Sequence, residues 1–218
     1  MTIHEHMKQI LIIDREFGAG GSDIGAKLAA RLKWTLFDDA LSEEIAQLAK
    51  VPVDICRHRE ERTDPFLHRL INLIWRGSFD RNLPSPDLAI LDTDRLVCLV
   101  QQAVERAATK SPCVIIGRGA PYFLRNRTDT LSIFLYAPRD LKYCRLLKRL
   151  GNETEAAQLL DSMDDDRRKF VKHYFGHEWP NRQLFHAMLN TAVGDDIVTE
   201  NILQLMNAAT RNEEPSRV

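Results

Sequence analysis

The stretch that decides the fold runs from Ile10 to Leu32 and reads ILIIDREFGAGGSDIGAKLAARL. Residues 10–13 form a continuous aliphatic run, which is typical of a strand buried on both faces in a parallel sheet. Three glycines follow, and apolar residues then recur every fourth position at Ile24, Leu28 and Leu32. That spacing indicates a helix with one apolar face that packs back on the strand. The stretch therefore predicts a strand, a glycine turn and a helix, in that order.

The glycine cluster has the composition of a phosphate-binding loop. Glycines let backbone N–H groups turn toward an anion, and the helix start adds partial positive charge. We therefore expect the phosphates of a nucleotide to be held by Gly18, Ala19, Gly20, Gly21 and Ser22. The Ser22 hydroxyl is placed either to cap the helix or to bind a metal ion. The alternative is a strand-to-helix turn in which glycine only relieves backbone strain.

The loop departs from two common nucleotide-binding fingerprints. Aligned with G-x-x-x-x-G-K-[ST], the sequence has Arg15 at the first glycine position and Gly21 at the lysine position. A dinucleotide G-x-G-x-x-G pattern would need a glycine where Asp23 stands. However, Asp38 and Asp39 lie about 20 residues further on, where a ribose-binding acid is expected. A dinucleotide-dependent oxidoreductase is therefore an alternative to a phosphotransferase.

The composition is that of an ordinary globular protein. Apolar residues make up 44% of the 218 residues, charged residues make up 28%, and the formal net charge is −1. This length suits one substantial α/β domain, and the charge balance does not point to nucleic acid as a partner. No apolar run approaches the roughly 20 residues of a membrane span, so we expect no membrane partner and a cytoplasmic location. The four cysteines form no C-x-x-C pair, which predicts free thiols.

Further strands alternate with helices along the rest of the chain. Short apolar runs predict strands at residues 34–37, 113–116, 131–136 and around 188–189. The intervening segments have helical periodicity. This alternation indicates a parallel sheet with helices on both faces, which is a three-layer αβα architecture. Asp38 follows the second strand, at the sheet edge where open α/β folds bind ligands.

Arginines mark the other candidate binding positions. Arg118 lies between two glycines at a strand end, where close approach and a planar guanidinium favour binding of an anion. Arg145 and Arg149 are one helical turn apart and so share a face. From Asp161 to His177 a group of acids precedes a group of bases, as expected of a helix whose acids lie near its start. The same charges are typical of a mobile basic lid that closes over polyphosphate.

The segment 64–77 has an apolar helical stripe that needs a partner. The stripe consists of Leu67, Leu70, Ile71, Ile74 and Trp75. It has three candidate partners, which are the core, the wall of a substrate pocket and a second subunit. The last of these would give a homodimer through the 64–77 helix.

Several of these motifs together resemble the cytidylate kinase-like family. They are Asp14–Gly21 (DREFGAGG), Phe37-Asp38, Ile116–Gly119 (IGRG), Phe134–Pro138 (FLYAP), residues 164–175 and Leu189–Thr191 (LNT). The resemblance spans roughly residues 8–206, and the family itself lacks the loop lysine. It implies a P-loop nucleoside monophosphate kinase fold in a single domain, 1–218. The implied core is about 8–40, 111–150 and 187–209, with a helical acceptor-binding insertion at about 41–110 and a lid at about 151–180.

The same resemblance implies transfer of the γ-phosphoryl group of ATP to CMP, dCMP or a similar nucleotide, with Mg²⁺. By position, the 18–22 loop would bind the donor phosphates, Arg118 would lie in the acceptor region, and Arg167 and Lys172 would match basic lid positions. We infer that Arg15 supplies part of the charge of the absent lysine. The predicted catalytic residues are Arg15, Arg118, Arg167 and Lys172. The predicted substrate-binding residues are Asp38, Arg118 and Arg145, and Ser22 is the predicted metal contact. Asp14 differs from the serine that is usual in the family.

The missing lysine leaves a third hypothesis open. A loop without its usual phosphate-binding cation could bind ATP without turning it over. The chain would then be a non-catalytic nucleotide sensor or an interaction protein with the same fold.

Overall fold

A computed structural model describes residues 8–38, 41, 45 and 93–212. The predicted 64–77 helix, and with it the homodimer interface, lies outside the described residues, as do Asp39 and most of the predicted acceptor-binding insertion.

A parallel sheet of five strands forms the centre of the described structure. The strands are β1 (Ile10–Arg15), β2 (Thr35–Phe37), β3 (Cys113–Ile116), β4 (Thr130–Tyr136) and β5 (Ala187–Asn190). Their order across the sheet is β2-β3-β1-β4-β5. All six residues of β1 are buried, which explains its aliphatic run. The strands predicted from the sequence are confirmed with shifts of one or two residues at their ends.

Helices cover both faces of the sheet. They are α1 (Gly21–Leu32), α2 (Thr93–Thr109), α3 (Ala120–Phe123), α4 (Arg139–Leu150), α5 (Glu153–Phe175) and α6 (Asp195–Asn212). Ile10 and Ile12 point into one core with α2, while Leu11 and Ile13 point into another with α1 and α6. This alternation along a single strand confirms the predicted three-layer αβα arrangement. No helix in the described part of the chain is both long enough and apolar enough to cross a membrane.

The strand order counts against the dinucleotide alternative. In the dinucleotide-binding fold the first two strands are neighbours, so the acid after the second strand reaches the ribose beside the glycine loop. Here β3 lies between β1 and β2. Asp38 is therefore one strand further from the loop than the fingerprint requires.

Helix α5 begins earlier than its charges suggest. The sequence favoured a helix whose acids, Asp164 among them, lie near its start, but the helix begins at Glu153 with the Asn152 side chain accepting a hydrogen bond from the Glu155 N–H group at 3.1 Å. Asp164 is thus at the middle of the helix, and it is buried. The acids of this run are therefore too far from the helix start to complement its dipole, which is complemented by Glu153 and Glu155 in the first turn. The position of Asp164 is explained by its contacts with other parts of the fold.

Candidate nucleotide site

The glycine loop joins β1 to α1 at the carboxyl edge of the sheet. Gly18 and Gly20 have φ of 80° and 83°, a left-handed conformation that favours glycine, and Gly20 caps α1. The helix begins at Gly21, so Ser22 lies inside its first turn and makes no capping bond. Of its two predicted uses, the cap is therefore wrong. Ser22 lines a pocket together with Gly18, Gly20 and Gly21.

Helix α4 packs directly on the loop. A Cβ atom added at Gly18 would lie 3.2 Å from the Cβ of Lys142, and one added at Gly20 would lie 3.2 Å from Nη1 of Arg145. Real Cβ atoms rarely approach other atoms this closely. These two glycines therefore allow α4 to pack closely on the loop, in addition to allowing the left-handed backbone conformation.

The side chain of Arg15 lies next to Gly21 and Gly117, and its position explains why the loop has no lysine. A Cβ added at Gly21 would lie 2.8 Å from Cγ of Arg15, and one added at Gly117 would lie 1.8 Å from its Nη1. The arginine at the first glycine position of the fingerprint thus fills the space next to the lysine position. Because a side chain at residue 21 would collide with it, the two departures from the fingerprint depend on each other.

The Arg15 guanidinium lies among charged groups of both signs. Burial and the neighbouring Arg167 lower the pKa of Arg15 from its ordinary value, while the carboxylates of Asp38, Asp14 and Asp164 oppose that change. Arg15 is 6% exposed, yet it lines the glycine-loop pocket. A buried cation of this kind is stable only when carboxylates lie close to it.

Asp164 ties α5 to the glycine loop. Its Oδ1 atom accepts hydrogen bonds from the Phe17 N–H group at 2.8 Å and from Nη1 of Arg167 at 3.0 Å. Its Oδ2 atom lies 3.4 Å from Nζ of Lys142, which also bonds Glu16 at 2.8 Å. Arg167 in turn donates to the Arg15 carbonyl at 2.8 Å. One carboxylate therefore fixes the loop backbone and two cations at once.

Two further arginines lie on the other side of the glycine-loop pocket. Arg145 donates to Oγ1 of Thr191 at 2.8 Å and to Oδ1 of Asp195 at 2.7 Å. Arg149 donates to the Asp23 carboxylate at 3.1 Å. Both arginines line this pocket, so Arg145 lies on the loop side rather than beside Arg118.

A second pocket adjoins the first. It is lined by Asp14, Arg118, Tyr122 and Trp179, and it shares Arg15 and Arg167 with the glycine-loop pocket. The segment Gly117–Gly119 has φ of 60°, 56° and 71°, so Arg118 itself is held in a left-handed conformation. Arg118 as a whole residue is 9% exposed. The predicted anion-binding arginine therefore does line a cavity, as the two flanking glycines suggested.

The structure brings most of the predicted residues together, with three exceptions. Lys172 lines neither pocket and pairs on the surface with Glu178 at 2.5 Å. Asp38 is buried near Arg15 but lines neither pocket. Ala19 is fully buried, and its N–H group donates to the Glu16 carbonyl at 3.2 Å.

Sequence reasoning missed four residues that shape the site. Asp164 was placed in a charged run and in a family motif without a role of its own, although its spacing of three from Arg167 predicts a pair on one helical face. Glu16 lies in the DREFGAGG motif, also without an assigned role, and Tyr122 carries no signal in a single sequence. Trp179 donates from Nε1 to Oδ2 of Asp14 at 3.2 Å, across 165 positions of sequence.

The glycine loop offers a small set of oxygen donors for Mg²⁺. Within residues 8–38 and 93–212, no three His, Cys, Asp or Glu side chains form a metal cluster. Mg²⁺ in phosphoryl-transfer sites usually takes one or two protein oxygens and completes its shell with phosphates and water. The Ser22 hydroxyl lines the pocket beside the Glu16 and Asp23 carboxylates, and this set of oxygen donors fits such an ion.

A family model described as the cytidylate kinase-like family matches residues 10–193 of the sequence. The chain belongs to the cytidylate kinase-like family. The match includes the glycine loop, the Arg118 turn and the whole of α5. Membership of the cytidylate kinase-like family supports a nucleotide kinase, and hence a phosphotransferase, in general terms. No curated protein matches the sequence.

Solved structures show the same fold at low sequence identity. An uncharacterized protein from Eubacterium ventriosum superposes with a TM-score of 0.64 at 20% identity, covering 91% of this chain and 98% of the other. A gluconokinase from Sinorhizobium meliloti has a TM-score of 0.56 at 14% identity, with 95% and 97% covered. A shikimate kinase from Bacteroides thetaiotaomicron has a TM-score of 0.54 at 16% identity, with 91% and 98% covered. The cytidylate kinase-like chain thus has the fold of P-loop kinases.

Gly117→Ala is expected to displace the Arg15 guanidinium. The matched control is Gly151→Ala, because Gly151 has a similar φ of 68° but no atom near its added Cβ. The control should lose about 1 kcal/mol of unfolding free energy through backbone strain. Gly117→Ala should lower the free energy of unfolding by about 2 kcal/mol more, because the added methyl group overpacks the buried space that Arg15 occupies. Urea denaturation measures both, and equal losses would show that Arg15 does not need this space.

Asp164→Asn is expected to destabilise the protein by about 3 kcal/mol, because it removes the charge from a buried group that pairs with Arg167 and Lys142. The neighbouring exposed Asp165, which pairs with Arg168, gives the control, and Asp165→Asn should cost less than about 0.5 kcal/mol. Both values come from thermal and urea unfolding. Similar small losses in the two variants would contradict a central role for Asp164.

Proposed function

We propose that the protein is a nucleoside monophosphate kinase that transfers the γ-phosphoryl group of ATP to CMP, dCMP or a similar nucleotide. The observation that carries the proposal is the pair of adjoining pockets, one at the glycine loop and one at Arg118, that share Arg15 and Arg167. A kinase needs a donor and an acceptor in line, with positive charge between them. Arg15 and Arg167 contribute two guanidinium groups where the two pockets adjoin.

In this proposal the donor phosphates lie on the backbone of residues 18–22. The loop's N–H groups and the start of α1 hold them, and the Ser22 hydroxyl contacts Mg²⁺. The ion, when bound, offsets negative charge on the phosphates. Arg145 contacts the nucleotide from the α4 side. The proposed binding partners are thus ATP and the acceptor nucleotide.

Arg15 and Arg167 act on the phosphoryl group in transit. Phosphoryl transfer needs little covalent help, and fixed cations around the equatorial oxygens supply much of the catalysis. Arg118 binds the acceptor in the second pocket, and Asp38 positions Arg15 through its charge. Lys172 contributes only to the outer positive charge of the proposed lid, since it lines neither pocket.

The proposal is tested by measuring ADP release from ATP and Mg²⁺ with CMP, dCMP, UMP, AMP, GMP or no acceptor. CMP or dCMP should accelerate release well above the blank. If another acceptor does so, the kinase proposal stands with a different substrate. If none does while ATP still binds, the chain is better described as a nucleotide sensor, for which the missing loop lysine is the supporting observation.

The role of Arg15 is tested by moving the cation back to its usual place. Arg15→Gly removes the guanidinium, and Gly21→Lys places a lysine where Arg15 blocks it. Each single variant should lose at least tenfold in kcat, because a well-placed cation at the phosphates is lost or displaced. The double variant Arg15→Gly, Gly21→Lys should recover part of that loss, because it restores the G-x-x-x-x-G-K-S pattern and removes the collision.

Thermal unfolding of all three variants separates folding from catalysis in this cycle. A double variant that folds but is no more active than Arg15→Gly would show that Arg15 has no catalytic role equivalent to the lysine. Arg125→Ala is the control, because Arg125 is exposed and lines neither pocket. Its kcat should equal that of the unmodified protein.

A further inference from the structure

The hydroxyl group of Tyr122 is buried without a hydrogen bond. Tyr122 is 3% exposed, and its side-chain oxygen has no partner among the described residues. Buried polar groups in folded proteins are almost always paired, so each exception calls for an explanation. A ligand that supplies the missing partner is one such explanation.

The ring of Tyr122 is held firmly in place. It stacks on Phe175 with ring centroids 4.5 Å apart, and it belongs to an apolar cluster with Phe134, Val171 and Trp179. These neighbours come from the sheet, from α5 and from the segment after it. The hydroxyl position is therefore fixed before any ligand arrives, which is what a binding group requires.

Tyr122 is one of the residues that line the pocket beside Arg118. Asp14 lines the same pocket as Tyr122. Burial together with the nearby Asp14 carboxylate raises the pKa of Tyr122. The hydroxyl therefore keeps its proton at neutral pH and can donate it to a hydrogen bond.

The pocket offers few groups that could accept this hydrogen bond. Arg15, Arg118 and Arg167 line it, and a guanidinium has donors but no acceptor. The Asp14 carboxylate accepts the Trp179 N–H group instead and makes no hydrogen bond to Tyr122. A ligand with anionic oxygens would match the three guanidinium groups and the hydroxyl together.

We propose that the Tyr122 hydroxyl donates a hydrogen bond to the phosphate group of the phosphoryl acceptor. Tyr122 is then a substrate-binding residue, and it completes an anion subsite whose cations are the three arginines. The identity of the acceptor rests on the proposed function. The anion subsite itself does not, so the two are tested separately.

The experiment compares Tyr122→Phe with the unmodified protein by isothermal titration calorimetry. The probes are CMP, cytidine and inorganic phosphate, each added after MgADP has filled the glycine loop. The substitution should weaken binding of CMP and of phosphate at least fivefold and leave cytidine unchanged, because only the phosphate meets the hydroxyl. Tyr143→Phe is the control, because Tyr143 is a half-buried tyrosine on α4 that lines neither pocket.

Thermal unfolding of Tyr122→Phe distinguishes a ligand-binding role of the hydroxyl from a structural role. Removing an unpaired buried hydroxyl should leave the melting temperature unchanged or raise it. A lower melting temperature with unchanged CMP and phosphate binding would show that the hydroxyl has a partner inside the protein, and would overturn the proposal. Equal binding by Tyr122→Phe and the unmodified protein would also overturn it, as would the absence of any phosphate or CMP binding by the unmodified protein.

Two mixed results test the identity of the acceptor and the contact of the Tyr122 hydroxyl separately. If phosphate binds, is weakened by Tyr122→Phe, and CMP does not bind, the anion subsite is supported and CMP is not the acceptor. If cytidine is weakened as much as CMP, the hydroxyl contacts the nucleoside rather than the phosphate, and the proposal is wrong in that respect.

Discussion

The burial of the Arg15 guanidinium constrains the whole site. A cation removed from water needs carboxylates close by, and here they come from three separate parts of the chain. Asp14 precedes it on β1, Asp38 follows β2, and Asp164 comes from the middle of α5. The end of β2 and the path of α5 must therefore converge on the carboxyl end of β1. The stem of the same side chain leaves no room for a Cβ at Gly21, and its guanidinium lies where a Cβ at Gly117 would be.

Much of the architecture could be predicted from the sequence, because burial on both faces leaves a local signal. The run of residues 10–13 and the later aliphatic runs identify strands without knowledge of any contact. The glycine loop and the Arg118 turn were recognisable because glycine spacing follows from backbone geometry. No local sequence pattern indicates the order of the strands across the sheet. That order is known only from the three-dimensional structure.

The parts of the site that escaped prediction depend on contacts distant in sequence. Asp164 is an ordinary acid in a charged run until α5 is placed against Phe17, 147 positions away. The helix extends back to Glu153 because the Asn152 side chain caps it there, whereas the charge pattern had indicated a start close to the acids. Tyr122 is likewise unremarkable in sequence, because only the pocket around it reveals that its hydroxyl lacks a partner.

The position of Asp164 along α5 has a consequence for motion. The helix has 23 residues and spans about 34 Å, with Asp164 at its midpoint. On one side of that point Leu160 and Met163 pack with Leu146 of α4, which lines the glycine-loop pocket, and on the other Val171 packs beside Tyr122. A rigid helix that tilts about its centre moves its two halves in opposite directions. Because side chains of α5 pack beside both pockets, a displacement of this one helix would reach both of them.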